Sequence, residues 1–404
     1  YATGSQNTFI GSEAGKGGTT SAPYSSGEKN IAIGYEALKV FTTAYNNTIL
    51  GYRAGYSTTT GFTNQYIGYY AGYRNTTGRA NTAIGANSQQ GVSGQTTGQY
   101  NVSLGENSLF GLTTGNHNFV VGSNAGYSLT SGENNIIIGA SAGDALTTTS
   151  NSVMIGRSAG TAINSADANG TVLLGAYAGA AITEGQYNTA IGTSALATED
   201  TGNFNTAVGY EALTTQNRDG TVNNTAVGYR AGYAVTTAYD STLLGSNAGV
   251  SLTEGNGNTA VGSNVMAGMT TGDFNTAVGV QALNTEDVGR GTTAIGYQAL
   301  FSQNSDSNDE NTGNTALGYH AGYDTTTGTN NTYLGYEAGK ATTTGFGNVA
   351  VGYQALLKAN HANAQYNVGI GHGVGSELLN GYYNVLIGYN TGNTLTSGGE
   401  NTLI

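Results

Sequence analysis

The motif N-T-A-I-G, with conservative variants, recurs 22 times in 404 residues, and the spacing between its glycines never falls below 17. The anchor glycines begin at Gly11, Gly34, Gly51 and Gly68 and end at Gly352, Gly371 and Gly388. Fifteen of the 21 intervals equal 17, and the other six are longer by two to six residues. Insertions without deletions describe a coil of fixed minimum perimeter whose surplus residues loop outwards. Length alone would suggest two or three domains, but a chain that copies itself is expected to form one continuous repeat domain over residues 1–404. Glycine and β-branched residues are too frequent for helix, and no 3.6-residue period survives. The expected fold is therefore all-β, a parallel β-solenoid (β-roll or β-helix) of about 22 coils with a 17-residue base period. At about 4.8 Å per coil such a stack would be on the order of 105 Å long.

Each place in the coil, N-T-A-I-G-Y-x-A-G/L-x-x-T-T-T-G-x-x, has an expected role. The residue before the anchor is Ile, Leu or Val in every coil, as at Ile33, Leu50, Val208 and Ile387. It is expected to point inwards and form the core ladder. The residue one earlier faces the other way along a strand and is also usually apolar, as at Ala83, Ile137, Leu173, Ala190, Leu243, Ala260 and Leu386. That row is expected to form an outer apolar stripe, the kind of surface that marks an interface. Asn opens 18 of the 22 motifs, with Ser152, Thr171, Ser241 and Thr292 in the others, which predicts an amide ladder satisfying the corner backbone. Glycine at the anchor and in the T-T-G corner, as at Gly61, Gly78, Gly115 and Gly272, is expected to supply positive φ. Ala dominates three places after the anchor; the next place is Gly in 13 coils and Leu in seven, an alternation that fills a narrow interior. Tyr follows the anchor in ten coils, predicting a stacked ring ladder along one edge, with a sugar-binding aromatic stripe as the alternative role.

Composition narrows the function. With 66 Gly, 28 Tyr, one Pro and 9% charged residues, the chain is neither an ordinary enzyme scaffold nor disordered. A net charge of −12 without a basic stripe leaves nothing to hold a polynucleotide, so no nucleic-acid partner is expected. Cysteine is absent, so neither disulfides nor thiolate metal sites exist. No run approaches the roughly 20 apolar residues that span a bilayer, so no membrane insertion is expected within this segment. The chain begins in a turn at Tyr1 and stops inside a strand motif at Ile404, which reads as a window of a longer polypeptide.

Signals for chemistry are weak. His117, His320, His361 and His372 fall in different coils without metal-ligand spacing and read as exposed repeat variants. Gly369, Gly371, Gly373 and Gly375 imitate a phosphate-cradling loop, yet no Lys follows and two of them are repeat positions. Asp306, Asp309 and Glu310 form the densest carboxylate cluster, read as a solvated acidic loop ahead of a calcium site. Thr runs at 58–60, 147–149 and 342–344 are candidate O-glycan positions. No catalytic, cofactor-binding or metal-binding residues are expected, and the chain is read as a non-enzyme without cofactors.

At N-T-A-I-G-Y-x-A the repeat resembles two groups, the head repeats of trimeric autotransporter adhesins and tail-fibre-like proteins carrying N-T-A-I/V-G-Y-x-A-L repeats. The resemblance covers essentially the whole chain. It implies a structural protein of an extracellular fibre or filament at a cell or virion surface. Its partner is expected to be itself, as a homo-oligomer, either a trimer or an end-to-end filament. The alternative is an adhesin or receptor-binding stalk that contacts glycans through outward loops at residues 15–29 and 304–313.

Overall fold

The computed structural model describes residues 4–18, 25–92, 94, 96–305, 307 and 311–404. The expected class is what is found: an all-β parallel solenoid of about 22 turns roughly 17 residues apart, with a single 3₁₀ turn at Ala166–Ala168 as helix. Contacts divide the chain into two compact units, Tyr1–Phe204 and Asn205–Ile404. In the first unit, eleven three-residue strands from Thr8–Ile10 to Thr189–Ile191 pair in parallel, each with the next, without slippage. Ala83, for example, lies opposite Ser103 and Tyr66. The second unit repeats this with eleven strands from Thr206–Val208 to Val385–Ile387, followed by Thr402–Leu403.

Strands are short because corners bound them tightly. At the leading corner most of these Asn side chains are fully or almost fully buried and bond in two directions. Asn47 donates from Nδ2 to the Gly61 carbonyl at 3.0 Å, while its Oδ1 accepts from the backbone N–H of Asn64 at 2.9 Å. Asn64, Asn118, Asn258 and Asn331 repeat the donation to a carbonyl 14 residues on. The amide ladder thus satisfies buried corner groups that water cannot reach. At the trailing corner the anchor glycine has φ between +127° and +143°, a region L-residues rarely enter.

The T-T-G glycines correct the expectation. Gly61, Gly78, Gly115 and Gly272 are not in the positive-φ region. A Cβ on Gly61 would stand 2.5 Å from the Gly78 carbonyl oxygen, and one on Gly272 would stand 2.3 Å from that of Gly289. Glycine is required there because successive coils approach too closely for a side chain, not because of backbone torsion.

The assignment of inside and outside is also corrected. The middle residue of each strand is the buried one: Ala83, Ile137, Leu173, Ala190, Leu243, Ala260 and Leu386 are wholly inaccessible. The aliphatic residue before the anchor faces out, and Ile84, Leu174, Leu317 and Leu334 are 39–46% exposed. Those residues stack on their counterparts one coil away, as Ile33 does beside Leu50 and Leu50 beside Ile67. A β-branched or leucine side chain fits a pleated, half-buried surface through such neighbours.

Interior volume is conserved within each coil by a pair of places. Where the middle strand residue is large, the place four after the anchor is Gly: Ile49 with Gly55, Tyr66 with Gly72, Leu173 with Gly179, Tyr333 with Gly339. A Cβ on Gly72 would lie 2.6 Å from the Tyr66 ring, and one on Gly179 2.6 Å from Leu173. Where the middle residue is Ala or Ser, the partner place is usually Leu, as in Ala32 with Leu38, Ser103 with Leu109 and Ala207 with Leu213. The exceptions borrow volume from a neighbour, since Gly232 beside Ala226 is filled by Leu213 and Leu243. The Leu members stand at φ +46° to +52°, a left-handed strain accepted for packing. Ala207→Leu alone is expected to cost about 1–3 kcal/mol by overpacking against Leu213. Combined with Leu213→Gly it should lose much less than the two singles summed, a coupling of about 1 kcal/mol or more in a urea double-mutant cycle.

Candidate interaction surfaces

The outward strand face is built from two rows per unit, the first and third residues of each strand. Neither row contains a charged residue in either unit. Eight successive coils of the second unit present Thr206, Thr225, Thr242, Thr259, Thr276, Thr293, Thr315 and Thr332 in register. Beside them run Val208, Val227, Leu244, Val261, Val278, Ile295, Leu317 and Leu334. An uninterrupted aliphatic row with no charge to repel a partner runs through both units, flanked by hydroxyls over these eight coils of the second, and is a candidate contact surface. The composition of that surface is legible in the sequence, but a period-two strand does not say which of its two faces is enclosed. The compensation between the middle strand residue and the Gly/Leu place was the signal that would have located the interior.

The rings after the anchor form the predicted ladders. Tyr35, Tyr52 and Tyr69 stack at 5.3 Å in the first unit. In the second, Tyr297, Tyr319, Tyr336, Tyr353, His372 and Tyr389 stack continuously at 4.7–5.3 Å. Rings so close cover one another's faces, so the ladder offers solvent its edges and hydroxyl tips. Sugar binding needs an open face, and within the stack there is none. His372 is thereby a ladder member, while His117 stacks on Tyr100 and His320 bonds Gln298 at 2.8 Å. Burial together with the nearby Lys340 lowers the His320 pKa.

Charged groups serve the scaffold. Glu13, Lys39, Glu36 and Arg53 form an ion-pair chain across coils, with Lys39 at 2.5 Å from Glu13 and Arg53 at 2.6 Å from Glu36. Hydrogen bonds from Lys39 and then Lys16 hold the Glu13 carboxyl down to about 2. Glu286, wholly buried, occupies an interior row that holds Leu112, Leu129 and Leu252 in other coils. Its carboxylate accepts from the Gly289 N–H at 2.8 Å, Gln303 Nε2 at 2.8 Å and Ser305 Oγ at 3.0 Å. Its oxygens are thus satisfied inside the coil by neutral donors. No group of three His, Asp or Glu side chains converges among the described residues.

Gly369, Gly371, Gly373 and Gly375 belong to the repeat, with Gly369 yielding to Leu356 and Gly375 to Leu386. The acidic residues Asp306, Asp309 and Glu310, and residues 19–24 of the first insert, lie outside the described residues. Of the Thr runs, Thr58, Thr149 and Thr342 are buried, leaving Thr60, Thr148 and Thr344 exposed. No helix among the described residues is long and apolar enough to cross a membrane. No known family model matches the chain, and no curated protein matches it.

Proposed function

We propose that this chain is a non-enzymatic structural protein of an extracellular fibre or filament, at a cell or virion surface, that assembles with copies of itself. The observation that carries the reading is the uncharged outward strand face, whose aliphatic row is regular through both units. Burying that face against the same face of another copy removes apolar area from water at about 25 cal/mol per Å² and desolvates no charge. Coils made only of nearest-neighbour contacts, internal ladders and close-packed glycine corners suit a load-bearing element. A closed oligomer, the trimer that the repeat's resemblance implies, is one assembly compatible with that face. An open filament, joined through strand edges, is the other assembly compatible with the same coils.

Sedimentation equilibrium of the 41.0 kDa chain over a dilution series tests this. A fixed mass near three chains supports a closed trimer and a mass rising with concentration supports a filament. A single-chain mass throughout removes the proposal. Substitution belongs on the outward aliphatic row and not on the buried Ala row. The triple variant Ile295→Asp, Leu317→Lys, Leu334→Asp alternates charge between adjacent coils, so it does not repel itself. It is expected to reduce the assembly to single chains while far-UV circular dichroism stays unchanged. The second reading is a glycan-contacting adhesin, and one groove outside those two loops bears on it.

A further inference from the structure

On the first unit an open groove of about 540 Å³ is lined by Asn107, Asn124, Tyr127, Ser128, Asp144 and Ala145. It lies off the strand face, between the row two after the anchor and the rows five and six after it. Phe110 covers one face of the Tyr127 ring at 4.8 Å and 1°. The other face turns to the next coil, where the same row carries Asp144 in place of a ring. Tyr127 is therefore a ladder end with a free aromatic face, 38% exposed.

Polar groups converge beside it. Asn87 donates to Asn107 and Asn107 donates to Asn124, each at 3.0 Å, so the amide ladder ends with the Nδ2 donors of Asn124 at the groove. Asp144 accepts from Thr161 Oγ1 at 2.6 Å through Oδ1, leaving Oδ2 as an acceptor. Three equivalent rings in other coils are each met by a long side chain from the row two after the anchor: Tyr73 by Tyr70 at 4.8 Å, Tyr233 by the Arg230 guanidinium at 4.5 Å, Tyr323 by His320 at 4.7 Å. Over Tyr127 the roofing place holds the short Asn124, and the groove stays open.

From this arrangement we infer that the groove binds a neutral pyranose. An apolar C–H face of the sugar lies on the free face of Tyr127, with adjacent hydroxyls donating to Asp144 and accepting from Asn124. No basic side chain lines the groove, so Asp144 disfavours acidic sugars. The inference stands apart from the fibre proposal, because a chain that fails to assemble still carries this groove.

Saturation-transfer NMR on the full chain with methyl glucoside, methyl galactoside and N-acetylglucosamine tests it, with glucuronate as the acidic comparison. Transfer to at least one neutral sugar is expected, with a dissociation constant on the order of 1 mM, and none to glucuronate. Tyr127→Ala should weaken binding about tenfold or more, the loss of one good stacking contact. Asn124→Arg, which restores the roof seen over Tyr233 and deletes no core contact, should abolish transfer. Tyr187→Ala, an exposed ring outside the groove, should leave it unchanged. Absence of transfer to all three neutral sugars overturns the inference. So does transfer that survives both Tyr127→Ala and Asn124→Arg, or that Tyr187→Ala removes equally.

Discussion

Gly262→Ala is expected to destabilise the coils around it by about 3 kcal/mol or more. The residue stands at φ +139°, and a Cβ there would lie 2.6 Å from the Gly279 carbonyl oxygen and 2.8 Å from its carbon. Both atoms are backbone of the next coil and cannot yield by a rotamer change. Gly220→Ala provides the contrast, since Gly220 has φ +80° but nothing within 4 Å of an added Cβ. It should suffer only the left-handed penalty, about 1–2 kcal/mol. Because each coil rests on its two neighbours, the loss should appear as local opening and not as a uniform shift. Amide exchange read by mass spectrometry should show protection falling about 100-fold in strands Thr259–Val261 and Thr276–Val278, with coils beyond Thr332 little changed. Equal effects from the two substitutions would mean that torsion, and not the close approach of coils, demands the glycine.

Asn275→Ala should cost about 2–6 kcal/mol, nearly all from groups it leaves behind. Asn275 is wholly buried; its Oδ1 accepts from the Thr292 N–H at 2.9 Å and its Nδ2 donates to the Gly289 carbonyl at 2.8 Å. Truncation strands one donor and one acceptor where water does not reach, and each costs about 1–3 kcal/mol. Asn275→Ser should lose roughly half as much. The chain already contains that solution at Ser241, whose Oγ accepts from the Asn258 N–H at 3.3 Å and donates to the Tyr239 carbonyl at 3.3 Å, so that its one proton is spent on its own side of the corner. Urea titration of the three proteins, followed by exchange at the Thr292 amide, checks both the order and the size. If Asn275→Ala and Asn275→Ser behaved alike, the corner carbonyl would have another donor.

The period, the parallel register, the Asn ladder and the anchor glycines follow from local rules, since each places one residue type against its own copy a coil away. Identical neighbours make stacking legible in one dimension, and 22 anchor glycines with Asn, Ser or Thr four places before each leave little else to build. The groove beside Tyr127 was less legible. Its elements, a Tyr five places and an Asn two places after the anchor, lie in the sequence, but their significance depends on which side chains roof the equivalent rings in other coils.

What the sequence by itself determined is the coil: its class, its repeat length, its corners and the residues that ladder. Which strand face is inside was decided only by tertiary structure. A period-two strand gives two faces without saying which is enclosed, and both rows here are apolar. The interior proved too thin for an aliphatic residue in every strand and took the row where Ala, Tyr, Leu and Gly vary in compensation with the place four after the anchor. The invariant Ile, Leu or Val row faced outwards, where regularity costs no volume and sheet neighbours reward branching. The T-T-G glycines were decided in the same way, because the 2.5 Å that would separate a Cβ on Gly61 from the Gly78 carbonyl oxygen is a property of the stack and of no single turn.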